Sequence, residues 1–98
     1  MNEYDIGDLV RVEAVFSLDT VNTDPDAVTL TIVNPSGEVF VYTDVSPEVF
    51  HTASGTFYLE FIPSGHGAWY ARWEGFGTVK AAGEDTFYIG RSNVLRTL

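Results

Sequence analysis

Cysteine is absent from this 98-residue chain, and basic residues are scarce. Without cysteine, disulfides, thiolate metal sites and a cysteine nucleophile are excluded. Five Lys and Arg stand against 14 Asp and Glu, which gives a formal net charge of −9. Because general nucleic-acid binding and adsorption to an anionic membrane both need a basic surface, we expect no nucleic-acid partner and no membrane partner.

Long apolar runs are missing as well. No stretch of about 18 apolar residues exists, so the sequence predicts no transmembrane helix. Residues 1–5 have neither the basic nor the apolar region of a secretory signal, and we expect none. A chain of this length fits one domain. We expect residues 1–90 to form that domain and residues 91–98 to form a short tail.

The sequence does contain repeated alternation of apolar and polar residues, with turn signals about every ten residues. Hydrophobic residues make up 45% of the chain, enough for a core. The alternation predicts strands over 8–16, 27–33, 38–44, 56–62, 68–74 and 85–90, with 45–54 as a loop or a short edge strand. We expect an all-β fold, a seven-stranded immunoglobulin-like β-sandwich, with an up-and-down barrel as the second choice.

The same alternation predicts which side chains face the core. The inward set is Val10, Val12, Ala14, Phe16, Val28, Leu30, Ile32, Phe57, Leu59, Phe61, Trp69, Ala71, Trp73, Phe87 and Ile89. The strand over 38–44 is ambiguous, because Val39 and Val41 alternate with Phe40 and Tyr42. We assign the two valines inward, and note that the opposite facing would put them in the place of the aromatics.

That assignment creates a candidate partner-binding surface. The third, penultimate and last strands of an immunoglobulin-like sandwich usually share a sheet. The outward face of this sheet is then expected to display Phe40, Tyr42, Tyr70, Arg72 and Tyr88. Tyr and Arg are enriched at interface hot spots, and a patch of this kind is costly for a monomer to expose. The alternative is that these are separate tyrosines tolerated on a β surface.

Signals of catalysis are weak. The two histidines, His51 and His66, lie in predicted loop or turn segments, with no nucleophile or carboxylate at a recognisable spacing. There is no Gly-x-Ser-x-Gly elbow and no phosphate-binding loop. Trp69 and Trp73 on one face could stack on a sugar, but their alternation with polar residues favours core packing. We therefore expect no enzyme and no cofactor.

An acidic loop is the one candidate for a metal site. Asp19, Asn22, Asp24 and Asp26 offer the oxygen ligands that Ca²⁺ takes. Their spacing is not that of an EF-hand, and no glutamate stands in the closing position. Asp and Asn also form turns through their own backbone hydrogen bonds, so we expect no bound metal.

One segment resembles filamin-type immunoglobulin-like repeats. The similar residues are Gly55-x-Phe57-x-Leu59-x-Phe61-x-Pro63, then Gly67-x-Trp69-x-Ala71-x-Trp73, with Pro35-Ser36-Gly37 as an earlier turn. Those repeats carry Gly-Ser-Pro-Phe before the last strand, whereas here only Gly83 and Phe87 remain. A single copy without an array also differs from an actin crosslinker.

Nearly the whole chain resembles short single-domain virion proteins of tailed bacteriophages and prophages. The similar runs are Tyr4-Asp5-x-Gly7-Asp8-Leu9-Val10-Arg11-Val12, Asp24-Pro25…Val28-Thr29-Leu30, Pro35-x-Gly37, Gly55-x-Phe57, Gly67-x-Trp69…Arg72-Trp73-Glu74-Gly75-x-Gly77 and Phe87. The run from Arg72 to Gly75 is the most distinctive. The resemblance implies an immunoglobulin-like component of the capsid surface or the head–tail region, and it carries over no catalytic residues.

The expected function is therefore that of a non-enzymatic structural protein of a bacteriophage virion. Its expected partners are other virion proteins of the capsid, connector or tail, with a homo-oligomer as an option, and its expected location is the virion, assembled in the host cytoplasm. The alternative is a small adhesion module that binds a carbohydrate or a protein. A calcium-dependent adhesion-type domain is a third option.

Overall fold

The computed structural model describes residues 2–91, so the predicted tail lies outside the described residues except for Arg91. Ten strands form the described part, which contains no helix. They are β1 (Asn2–Asp5), β2 (Val10–Val15), β3 (Ser17–Leu18), β4 (Val21–Asn22), β5 (Ala27–Val33), β6 (Val39–Thr43), β7 (Phe50–Ala53), β8 (Thr56–Phe61), β9 (Gly67–Phe76) and β10 (Ala81–Gly90). The prediction of an all-β fold is confirmed.

The strands form two larger sheets and one short hairpin. The five-stranded sheet has the order β1-β10-β9-β5-β6, and the three-stranded sheet has the order β2-β8-β7. The strands β3 and β4 pair only with each other. All pairs are antiparallel except β1 with β10. Both larger sheets contribute to one hydrophobic core, an arrangement compatible with a β-sandwich.

The core follows the predicted alternation. Leu30, Ile89 and Phe87 in the five-stranded sheet are almost completely buried, as is Val10 in the three-stranded sheet. Aromatic rings join the sheets, since Phe61 of β8 lies 5.6 Å from Trp69 and 6.1 Å from Phe87 between ring centroids. Ala14 and Phe61 are only partly buried but pack against the same core. The inward facing predicted for these strands is therefore confirmed.

The predicted turn after β5 is a hairpin that joins β5 to β6 in one sheet. The side chain of Asn34 accepts hydrogen bonds from the backbone N–H groups of Ser36 and Glu38, at 3.1 and 2.8 Å. Gly37 takes a positive φ of 87°, which a side chain would strain. The turn thereby fixes the register in which Val33 lies opposite Val39.

Several strand bounds differ from the prediction, among them the start of β10, which lies at Ala81 and not near Asp85. The loop expected over 17–26 contains the β3–β4 hairpin, whose turn has positive φ at both Asp19 and Thr20. Strand β9 was expected to break at Gly75, but it continues because Gly75 pairs with strands on both sides. Strand β1 was not predicted, since four residues are too few to show an alternation.

Candidate docking surface

The facing predicted for β6 is wrong. In an antiparallel pair, residues directly opposite each other project to the same side of the sheet. Phe40 lies opposite Ile32, and Tyr42 lies opposite Leu30. Ile32 and Leu30 are buried, at 2% and 0% exposure, so Phe40 and Tyr42 belong to the core side. The candidate surface therefore loses two of its five predicted residues.

Val39 and Val41 take their places on the outward side. Val41, Thr31, Arg72 and Glu84 form one row across four strands. Because neighbouring strands lie about 4.8 Å apart and paired residues project to the same side, adjacent side chains in a row are near neighbours. Val39, Val33, Tyr70 and Thr86 form the next row. We call the outward set Val39, Val41, Tyr70, Arg72 and Tyr88 the outer face.

The outer face is largely exposed and largely apolar. Val41 is 61% exposed, Val39 58%, Tyr70 51% and Tyr88 39%. Single exposed apolar side chains are normal on a protein surface, but neighbouring ones in adjacent rows form a patch. With two valines in place of two aromatics, the outer face is smaller than the surface that the sequence predicted.

Arg72 is held within the sheet by two carboxylates. Its Nη1 donates to Glu84 on β10 at 2.6 Å, and its Nε lies 3.7 Å from Glu74 on the same strand. Since all three side chains are at least one-third exposed, these ion pairs add little to stability. They hold the guanidinium in place, and two carboxylates beside one guanidinium leave a net charge of −1. Arg72 is therefore a positioned, ion-paired side chain among the valines and tyrosines of the outer face.

Phe40 and Tyr42 lie instead at an open end of the core. Together with Phe61 and Trp69 they line a shallow cavity of about 180 Å³. Phe40 remains 39% exposed because it covers this end without being enclosed. Its role in the structure is to shield the core side of an edge strand.

A second aromatic cluster, not predicted from the sequence, lies on the three-stranded sheet. The rings of Phe50 and Tyr58 stack at 5.1 Å between centroids, and the guanidinium of Arg11 lies 4.0 Å from the Tyr58 ring. Arg11 also contacts Glu60 at 3.3 Å. The sequence indicated only one member of this cluster, because the alternation in β8 predicted that Tyr58 faces outward. The strand pairing of Phe50 was too irregular to predict, because a bulge follows His51.

Two of the four acidic-loop residues, Asp24 and Asp26, make side-chain hydrogen bonds. Asp24 Oδ1 accepts from the backbone N–H of Gly55 at 2.6 Å and lies 2.9 Å from His51 Nε2. The Gly55 bond is the main cause that lowers the pKa of Asp24 below its usual value; desolvation opposes it, and the hydrogen bond and charge of the nearby His51 lower the pKa further. Asp26 accepts from the backbone N–H and the hydroxyl of Thr78, at 3.3 and 3.4 Å. Within residues 2–91, no three His, Asp or Glu side chains are grouped as metal ligands would be.

Neither tryptophan forms an exposed platform for a sugar. Trp69 is 4% and Trp73 5% exposed. The indole Nε1 of Trp69 donates to the carbonyl of Gly65 at 3.0 Å. The Nε1 of Trp73 is buried and has no acceptor among the described residues. The core packing predicted for both is confirmed.

Comparison of the chain with models of protein families, with curated proteins and with solved structures finds no match. In the part of the chain that the structure describes, no helix is long and apolar enough to span a membrane.

Proposed function

We propose that this chain is a non-enzymatic structural protein of a tailed-bacteriophage virion, with an immunoglobulin-like sandwich that docks on a neighbouring virion protein. The observation that carries the docking is the outer face, where Val39, Val41 and Tyr70 lie exposed in adjacent rows. Burying such a patch against a partner removes apolar surface from water. Arg72 is ion-paired with Glu74 and Glu84, and the three groups together carry one net negative charge that a partner has to accommodate.

The strand order supports the immunoglobulin-like assignment. If β2, β5, β6, β7, β8, β9 and β10 are taken as strands B, C, C′, D, E, F and G, one sheet reads G-F-C-C′ and the other B-E-D. Immunoglobulin domains combine a sheet that contains G, F and C with one that contains B, E and D. The two larger sheets hold eight strands rather than seven, because β1 adds beside β10.

The sequence resemblance supports the assignment to a virion. Its most distinctive run, Arg72-Trp73-Glu74-Gly75, lies on β9 in the middle of the five-stranded sheet. Trp73 faces the core and Arg72 faces outward. A Cβ at Gly75 would lie 2.8 Å from the Phe16 ring and 2.9 Å from the Pro25 side chain, so glycine is the residue that fits there. Each position in the run has a structural role, which suits a protein that acts by docking.

The test is incorporation into particles. Particles produced from the genome that encodes this chain are banded in a density gradient, and the chain in the band is measured by immunoblotting. The test variant combines Val41→Glu with Tyr70→Ser on the outer face. The control combines Val21→Glu with Phe50→Ser, two equally exposed positions outside the five-stranded sheet.

We expect the wild type and the control in the particle band, and the outer-face variant at no more than a tenth of the wild-type amount. Circular dichroism and thermal unfolding of the purified variants check that both fold. Absence of the wild type from the particles would overturn the virion assignment. Normal incorporation of a folded outer-face variant would exclude this face as the interface.

A further inference from the structure

One half of β10 has a free edge. This strand pairs with β9 along Ala81–Ile89, but β1 covers its other edge only from Phe87 to Gly90. Along 81–86, alternate backbone N–H and C=O groups therefore face away from β9, and no strand within residues 2–91 lies beside them. The strand β2 also lies at the end of its sheet and pairs only with β8. Both open edges border the same groove.

We call this groove, which lies between the end of β2 and residues 81–85 of β10, the lateral groove. It has a volume of about 350 Å³. Its walls are Ala14 near the end of β2, Phe16 directly after β2, and the free half of β10. Trp73 on β9 also lines it. An unpaired stretch of six residues in β10 is about 20 Å long, enough to pair with a short added strand. The lateral groove is therefore bounded by open backbone on two sides and by an indole between them.

The lateral groove exists because the residues of β10 that face the core between 81 and 85 have small or no side chains, apart from Asp85. Ala81, Gly83 and Asp85 lie opposite Gly75, Trp73 and Ala71 of β9, so they share the core-facing side of the sheet. They are nevertheless exposed. A Cβ built on Gly83 would meet nothing within 4 Å. Space that a side chain of this chain would normally fill is thus open beside Trp73.

The charges at the groove are acidic. Glu13, Glu84 and Asp85 line it, and no basic residue does. Glu84 is paired with Arg72, whereas Asp85 has no ion-pair or hydrogen-bond partner among the described residues. A charged side chain on the core side of an edge strand opposes pairing with an apolar strand. It does not oppose a strand that brings a cation to the same position.

We propose that the lateral groove takes an extended segment of a partner protein, which adds as a strand to the free edge of β10. The segment carries an apolar side chain opposite Gly83 and a Lys or Arg opposite Asp85. Backbone hydrogen bonds to residues 81–86 supply affinity, and the alternate side chains supply specificity. The lateral groove lies along the free edge of β10 and not on the outer face, although Glu84, which lines it, also pairs with Arg72 of the outer face.

The test uses defined peptides and the amide spectrum of the protein. The probes are acetyl-Val-Thr-Val-Thr-Lys-Thr-amide and acetyl-Lys-Thr-Val-Thr-Val-Thr-amide, which place Val opposite Gly83 and Lys opposite Asp85 in a parallel and an antiparallel strand. The matched control peptides have Glu in place of Lys. We expect one Lys peptide to shift the amides of residues 81–86 and the Trp73 indole N–H, and to slow their hydrogen exchange. The Glu peptides are expected to bind at least tenfold more weakly.

Two variants separate strand addition from general charge attraction. Gly83→Leu fills the groove, and it is tolerated because Gly83 has no close neighbour and no positive φ. Asp85→Lys reverses the charge that selects the cation. We therefore expect this variant to bind the Glu peptides more tightly than the Lys peptides. Glu48→Lys makes the same charge change at an exposed residue away from the groove and is expected to bind like the wild type.

The proposal is overturned if millimolar Lys peptide leaves the 81–86 amides unshifted, or if Gly83→Leu binds as well as the wild type. It is also overturned if these amides shift with protein concentration alone and the shift disappears in Gly83→Leu. In that case the occupant of the groove is a second copy of this chain.

Discussion

Phe40 lies directly opposite Ile32 in the β5–β6 hairpin, and this pairing determines which side of β6 faces the core. Ile32 is buried by the three-stranded sheet, so its cross-strand neighbour must face the same way. Because side chains alternate along a strand, one such pair fixes Tyr42 inward and Val39 and Val41 outward. The composition of the outer face follows from this single register.

The facing of β6 can be checked by replacing adjacent residues with the same side chain. Phe40→Thr removes a ring that packs over the open end of the core, and we expect a loss of about 1–2 kcal/mol, less than for a fully buried Phe. Val41→Thr keeps the branched shape on the outward side and is expected to change stability by no more than about 0.5 kcal/mol. Urea unfolding measures both. A larger loss for Val41→Thr than for Phe40→Thr would reverse the facing.

Alternation predicted the sheets wherever one side of a strand is clearly more apolar than the other. Val28, Leu30 and Ile32 alternate with polar neighbours, so β5 was predicted with its bounds and its facing. In β6 both sides are apolar, and hydrophobicity alone cannot choose between Val41 and Phe40. The choice depends on the register that the Asn34 turn sets through its own hydrogen bonds, which the hydrophobic alternation does not show.

The candidate surface was also predictable only on strands that have one clearly apolar side. Tyr70, Arg72 and Tyr88 lie on strands with a clear apolar side, and their outward position follows from the sequence. The lateral groove was not predictable, because it arises where β1 stops beside β10 and leaves residues 81–86 unpaired. No local pattern around Gly83 indicates which strand lies beside it.

The two tryptophans differ in what their indole N–H groups contribute. Trp69→Phe leaves the carbonyl of Gly65 without its donor, whereas Trp73→Phe breaks no hydrogen bond among the described residues. Both remove similar volume, so we expect Trp69→Phe to destabilise by about 1 kcal/mol more. Trp73→Ala is expected to cost about 3–5 kcal/mol through lost burial and a cavity. Equal losses for the two Phe variants, measured by urea unfolding, would contradict the assigned hydrogen bonding.

Gly55 is required by close approach as well as by its backbone angle. Its φ is 74°, and a Cβ there would collide with the carbonyl oxygen of Phe16 and the backbone of Thr23. Gly37 also has positive φ, at 87°, but no atom lies within 4 Å of its Cβ position. We expect Gly37→Ala to cost about 1–2 kcal/mol from the backbone angle alone, and Gly55→Ala to cost clearly more. Thermal unfolding of the two variants gives the comparison, and equal shifts in Tm would show that the Phe16 contact relaxes freely.

The hydrogen bond from Gly55 to Asp24 makes stability depend on pH. Because the pKa of Asp24 is lowered in the folded state, mainly by this bond and then by His51, its ionised form stabilises the fold. That contribution is complete above the usual Asp pKa of about 3.9 and is lost as the pH falls through the lowered value. The double variant Asp24→Asn/His51→Gln is compared with the single variant His51→Gln. The two proteins then differ in charge only at residue 24. We expect the difference in unfolding free energy to be constant between about pH 7 and 5 and to shrink below about pH 4. Urea unfolding at each pH measures it, and a difference that grows with acid would mean that the protonated form of Asp24 is the stabilising one.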